Sequence, residues 1–290
     1  MSFDEILDLG GRQKGLSRPD VTHHDPVGPG RSHPAPVPGA GERPPPHARF
    51  HGFHGLRRVR EASHHVRVYI ASRKTDAVSA AVAELEHYGA VTGLSADFST
   101  EAGCIAFADE IKTREERIDI LVNNAGTTWG APLEEFPAAA WDRVFDVNVK
   151  APFFLTQAFL PLLEKSGSQD DPARIINIGS IDAIHTPQHE AYAYGPSKAA
   201  IHQLTRVLAA KLGSKWITVN AIAPGPFESK MMASRLAEAG EEIAAQSRLN
   251  RIGRPDDIGG GVVFLASRAG SYLTGAIIPI DGGIATTAGC

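Results

Sequence analysis

Residues 118–126 read IDILVNNAG. Ile118 to Val122 is a short aliphatic run of the kind found in a strand buried on both faces, and it stops at Asn123. The small residues that follow let a ligand approach the backbone closely, or make an ordinary strand-to-helix turn. The same pattern repeats on either side. Towards the N-terminus, Val66 to Ala71 (VRVYIA) reads as a strand, Thr75 to Tyr88 as a helix closed by Gly89, Val91 to Ala96 as a strand ending at Asp97, and Thr100 to Arg114 as a helix. Towards the C-terminus come a long helical stretch from Ala138 to Leu163, a strand Arg174 to Ile178, a helix Tyr194 to Leu212 and a strand Thr218 to Ile222. Helical stretches at Ala233 to Ser247 and Pro255 to Ala266 precede a last strand, Ala276 to Ile280. Alternating strands and helices pair in parallel through right-handed crossovers, so the expected class is α/β, a doubly wound parallel sheet with helices on both faces. Ligands of such sheets bind outside the carboxyl ends of the strands.

The chain has 290 residues, 42% of them hydrophobic, enough for a large core. A formal net charge of −4 gives no electrostatic reason to expect nucleic acid or an anionic membrane as partner. Cys104 and Cys290 are the two cysteines and form no CxxC or Cys/His cluster, so neither a disulfide framework nor a metal site is expected. Two thiols of this kind fit a reducing cytoplasm. No apolar run approaches the roughly 20 residues of a membrane span. Met1 to Gly10 is acidic and lacks the basic start and apolar stretch of a signal peptide.

The sharpest chemical signal is YGPSK at 194–198. Tyr194 and Lys198, four apart on a helix, share a face. A free phenol titrates near ~10, and a neighbouring ammonium favours its ionised form, so the pair is a candidate acid/base. An exposed Tyr beside a solvated Lys is the plain alternative. Ser180, after the strand Arg174 to Ile178, can hydrogen-bond a carbonyl opposite the Tyr or serve only as turn chemistry. Asn148 lies inside a helical stretch, where an Asn amide either serves something besides helix formation or marks a local distortion. Pro224 and Gly225 follow the strand TVNAIA as Asn124, Ala125 and Gly126 follow theirs.

Together, NNAG at 123–126, Asn148 in DVNVK, Ser180 in NIGS, YGPSK at 194–198, NAIAPG at 220–225 and the tail RIGRPDDIGGGVVFLAS…LTGAIIPIDGG resemble the short-chain dehydrogenase/reductase family over about residues 66–290. The look is similar to 3-oxoacyl carrier-protein reductases and to sugar or polyol dehydrogenases. The resemblance implies a Rossmann-like oxidoreductase that moves hydride between a nicotinamide cofactor and a carbonyl or secondary alcohol. Tyr194 would be the acid in reduction and the base in oxidation, with Lys198 lowering its pKa and holding the nicotinamide ribose. Ser180 would polarise the carbonyl, and Asn148 would position a water in a proton relay behind Lys198. Asp97 and Phe98 would flank the adenine, and Asn124, Ala125 and Gly126 would line the ribose. Pro224, Gly225, Phe227 and Ser229 would enclose the nicotinamide. The family also suggests that helices 138–163 and 194–212 pair across a homodimer or homotetramer interface.

In dinucleotide folds an acid after the second strand binds the ribose 2′-hydroxyl, while a basic residue accommodates a 2′-phosphate. Here VRVYIA leads into Ser72, Arg73 and Lys74 with no acid at the strand end. The planar fork of Arg73 suits a phosphate, so NADP is expected over NAD. The substrate wall should come from residues after Ser180, such as Ile184 and His185, and from a lid at 226–247. His185 and His189 read as loop residues rather than ligands.

One part departs from the pattern. The family opens with an apolar strand, a Gly-rich turn and a helix whose N-terminus holds the pyrophosphate. Residues 1–12 look like a family N-terminus, but 13–65 contain eight of the twelve histidines and nine of the twenty prolines. That segment reads as irregular or disordered. It is either coding sequence read out of frame, a retained intron, or a real insertion. Without a first strand the neighbours at 66–71 and 118–122 lose a partner. The alternative to an active enzyme is therefore an inactive remnant serving as a binding or scaffold protein.

Overall fold

The computed structural model describes residues 48–49, 66–186, 189–229 and 232–287. Residues 1–12, and 13–65 apart from the pair 48–49, lie outside the described residues, as does any Gly-rich turn within them.

Two parallel ladders are present. One runs in the order β1 (Ala48–Arg49), β4 (Ile120–Asn123), β5 (Ala173–Ile178), β6 (Ile217–Pro224) and β7 (Ile277–Ile280); the other pairs β2 (Arg67–Ser72) with β3 (Ala90–Ser95). The sequence reading left the place beside Ile120–Asn123 empty. The structure sets β1 there, with Ala48 opposite Ile120 and Arg49 opposite Leu121, and β1 also contacts β2. Two residues thus occupy the central position between the two ladders, which the composition of 13–65 did not reveal.

Strand side chains alternate between faces, so each strand feeds two cores. On one face Leu121, Ile175 and Val219 pack with α2 (Glu101–Lys112), α4 (Ala151–Ser166) and α5 (Tyr194–Leu212) through Phe107, Ile111, Leu155, Phe159 and Leu212. On the other face Ile70, Val122, Ile176 and Ile222 meet α1 (Thr75–Leu85) and α7 (Pro255–Ala266) through Val78, Leu85, Val262 and Leu265. The expected doubly wound α/β architecture is what the chain forms. Helix starts follow capping chemistry. Thr100 Oγ1 accepts the Gly103 N–H (3.1 Å) ahead of α2, and Asp257 accepts the Arg254 N–H (2.7 Å) at the start of α7, whose first residue is Pro255.

The stretch expected as one helix from Ala138 to Leu163 is three pieces: α3 (Ala138–Phe145), a π-helical turn Asp146–Lys150, and α4. α6 (Ala233–Gln246) covers much of the expected lid and breaks at Ala239. Among the described residues no helix is long and apolar enough to cross a membrane.

Candidate active site

Parallel strands bring their carboxyl ends to one edge, and the residues singled out by sequence collect there in two groups. The first surrounds the ends of β4 and β5. Asn123 and Asn177 stand opposite each other in the ladder. Asn123 Nδ2 donates to Asn177 Oδ1 (2.8 Å), and Asn177 Nδ2 donates to Thr205 Oγ1 (2.9 Å) in α5. This buried polar chain fixes the helix carrying Tyr194 and Lys198 against β5, the strand that leads to Ser180.

Tyr194 is the first residue of α5 and is largely buried. Lys198, one turn on, is 4% exposed. Its Nζ donates to the Ile178 carbonyl (2.8 Å) and lies 5.6 Å from the centroid of the Tyr194 ring. Burial pulls the Lys198 ammonium down to about 8, against the charge of Asp182. The Tyr194 phenol is pushed well above its usual range, first by burial and then by the Asp182 carboxylate, against a hydrogen bond with the Ser180 hydroxyl. The structure thus corrects the expectation that the Lys198 charge lowers the phenol's pKa. The ammonium engages a carbonyl and lies over the ring, while desolvation and a carboxylate dominate at the hydroxyl.

Asn148 occupies the π-helical turn, a local widening that turns its amide inward. Its Oδ1 accepts the Thr127 N–H (2.8 Å), and its Nδ2 donates to the Thr127 carbonyl and to Ser197 Oγ, both at 2.9 Å. Both readings of Asn148 therefore hold: the helix is distorted there, and the amide serves the loop after β4. Gly126 lies in that loop, where a Cβ would stand 3.5 Å from both Asn148 Oδ1 and Lys198 Nζ. Asn124 and Ala125 beside it are partly buried. Ser180 is 7% exposed and accepts the Asp182 N–H (3.1 Å).

At the end of β6, Gly225 donates its N–H to the Ile280 carbonyl (3.0 Å) so close to β7 that a Cβ would come within 2.8 Å of Asp281. Pro224 is partly buried at the same strand end. Phe227 packs on Gly253, and Ser229 Oγ accepts the Met232 N–H (3.2 Å) ahead of α6.

The second group lies at the ends of β2 and β3, where Ser72 pairs with Ser95. Ser72 Oγ accepts the Lys74 N–H (3.3 Å). Arg73 Nε is 4.0 Å from Asp97 Oδ1. Burial works to raise the Asp97 carboxyl, but hydrogen bonds from Ser99 and the charge of Arg73 hold it below its ordinary value. The Phe98 ring is 6% exposed and meets Phe107 edge-on at 5.2 Å, so it belongs to the core and leaves Asp97 as the member of the pair on the rim.

Sequence reasoning missed Thr127, Ser197 and His202. Ser197 sits inside the quoted motif, and His202 lies one turn beyond Lys198, spacings that could have flagged both. His202 is 4% exposed and packs against Gly179, where a Cβ would run into its Nε2. Burial, with Lys198 and Arg206 adding to it, pushes His202 down to about 4. Among the described residues no group of three His, Cys, Asp or Glu could hold a metal ion.

Comparison with known proteins agrees with this geometry. A family model described as enoyl-(acyl carrier protein) reductase matches residues 59–285. The chain is 45% identical over 219 residues to the rhamnolipids biosynthesis 3-oxoacyl-[acyl-carrier-protein] reductase of Pseudomonas aeruginosa, covering 75% of this chain and 86% of that one. Its fold is similar to the Pseudomonas aeruginosa RhlG/NADP active-site complex, with a TM-score of 0.78, 41% identity, and 83% and 96% of the two chains covered. It is also similar to a blue fluorescent protein from a metagenomic library in complex with NADPH, with a TM-score of 0.73, 31% identity, and 83% and 98% covered. The chain belongs to the short-chain dehydrogenase/reductase family.

Proposed function

We propose that the protein is an NADP-dependent reductase that interconverts a carbonyl compound and the corresponding secondary alcohol. The observation that carries the reading is the convergence of Tyr194, Ser180 and a buried Lys198 beside the loop at Gly126. The donor set fits the cofactor. Lys198 uses one of its three N–H donors on Ile178, which leaves two for ribose hydroxyls. The Arg73 fork at the end of β2 suits a 2′-phosphate. The complexes of similar proteins with NADP and NADPH support the same choice.

NADPH, when bound, supplies the hydride. As a C–H bond forms at the carbonyl carbon, the phenol of Tyr194 gives its proton to the carbonyl oxygen, forming the alcohol O–H. The Ser180 hydroxyl hydrogen-bonds the same oxygen and steadies its growing charge. Lys198, with a pKa near that of the medium, returns a proton to the phenolate. Asn148 holds the Thr127 loop in place, and its Oδ1 has a second lone pair for a water behind Lys198. Exposed Trp141, Phe153 and Val207 on α3, α4 and α5 support assembly into two or four copies. NADPH consumption measured across 3-oxoacyl thioesters, ketones and sugars tests the reading. At least one class should turn over, 3-oxoacyl thioesters being the first to try given the name of the Pseudomonas relative. Absence of turnover with all of them would refute it.

A further inference from the structure

A cluster of titratable side chains adjoins Ser180 and Tyr194 without a part in the proposed chemistry. Asp182 lies two residues beyond Ser180, and its side chain is 16% exposed. His189 Nε2 stands 3.5 Å from Asp182 Oδ2, and His185 Nε2 stands 4.0 Å from Oδ1. Backbone hydrogen bonds hold the main chain of both histidines. His185 N–H donates to the Ile181 carbonyl (3.0 Å) and Ala191 N–H to the His189 carbonyl (2.8 Å), while Tyr194 N–H donates to Ala191 (2.9 Å). The loop bearing His189 therefore runs straight into the first turn of α5. Gly195 backs onto Asp182, where a Cβ would stand 3.2 Å from its carbonyl oxygen. Lys198 and Tyr194 of α5 and Arg235 of α6 also feel the Asp182 carboxylate.

We propose that Asp182 is a positioning residue that couples His189 to the Tyr194 phenol, so that the charge on His189 sets how readily Tyr194 gives up its proton. This rests on the reading of Tyr194 as the proton donor. The physical basis is one negative charge shared between two neighbours. An unneutralised carboxylate holds the phenol protonated, and a proton on His189 offsets that field and makes Tyr194 the stronger acid. Acidification therefore favours carbonyl reduction through the wall of the site.

The test is Asp182→Asn in the full chain, with ¹³C-labelled tyrosine, histidine and aspartate followed by NMR against pH and Tyr194→Phe used to assign the phenol. Loss of the negative charge should lower the titration of both Tyr194 and His189, each by about one pH unit. In the enzyme assay the acid limb of alcohol oxidation should move in the same direction. His189→Gln supplies the second arm. Without the His189 charge the Asp182 carboxyl should titrate higher, and the gain in carbonyl reduction on acidification should shrink. Unmoved Tyr194 and His189 titrations in Asp182→Asn, or an unmoved Asp182 carboxyl in His189→Gln, would overturn the proposal. The NMR titrations need neither cofactor nor substrate. A protein that shows these shifts but reduces nothing would keep the coupling and refute the reductase reading instead.

Discussion

Around the ends of β4 and β5, Asn148, Ser180 and Lys198 are buried, and each is tied by hydrogen bonds of 2.8 to 3.1 Å. Around the ends of β2 and β3, the Arg73 and Asp97 side chains are 38% and 49% exposed and meet at 4.0 Å. On the proposed function, the contrast follows from what each end would have to do. A proton moves over the length of one hydrogen bond, so its donor has to be held within tenths of an ångström, and only a fully bonded buried network does that. Recognition of a phosphate by a guanidinium works through charge and a planar fork, which tolerates water and motion. An exposed pair such as Arg73–Asp97 itself contributes about 0–1 kcal/mol. On that reading the rim is set by charge type, and the floor around Tyr194 by geometry.

Four experiments bear on that contrast. The largest effect is expected at the floor. Tyr194→Phe keeps the ring and removes the proton donor, so kcat should fall about 10²- to 10⁴-fold while NADPH affinity stays within a few-fold. Steady-state rates and a binding titration on the same preparation check this. Next, Asn148→Ala leaves the buried Thr127 N–H and carbonyl without their partner. A loss of about 1–3 kcal/mol in urea unfolding is expected, with a fall in activity. Equal stability would mean that the network does not hold the loop.

The rim should answer differently. Arg73→Ser removes charge-assisted hydrogen bonds to a 2′-phosphate, worth about 1.5–3 kcal/mol, so KM for NADPH should rise about tenfold or more while KM for NADH barely changes. Unfolding should not respond. An unchanged preference between the two cofactors would remove Arg73 from its role. The smallest effect is a pH dependence of stability. His202 titrates near 6.5 when unfolded and at about 4 in the fold, because burial disfavours its charged form. Its folded pKa is depressed, so the unfolded chain binds the extra proton first. The associated stability is present above pH ~6.5 and is lost as pH falls towards about 4. Melting temperatures of the wild type and His202→Gln should therefore converge or cross on acidification, and parallel curves would speak against a neutral, buried His202.

How much of this was legible in the sequence divides along the same line. Strand and helix order, and the collection of motifs at one sheet edge, follow from apolar periodicity, which reports burial directly. That Tyr194, Lys198, Ser180 and Asn148 would gather at one sheet edge was legible because the quoted motifs, in one order, are specific. The sign of the Tyr194 shift was not, since spacing along a helix does not say where the Lys198 ammonium points or that a carboxylate from another loop lies nearby. Asp182 escaped notice for that reason: two residues after Ser180 it looks like turn chemistry, and only the fold brings it beside the phenol. That the Phe98 ring joins the core was not legible, because Phe98 lies in the turn after β3, where no strand alternation says which way a side chain faces. The two-residue strand Ala48–Arg49 carries almost no periodic signal, and its place is set by the gap between β2 and β4.

The central claim is that this chain holds NADPH between the charged rim at Arg73 and the floor at Lys198. Calorimetric titration of the full-length protein with NADPH tests it most directly. Saturable one-site binding, weakened in Arg73→Ser and again in Lys198→Ala, is the predicted result. A flat trace at millimolar NADPH in a folded preparation would contradict it.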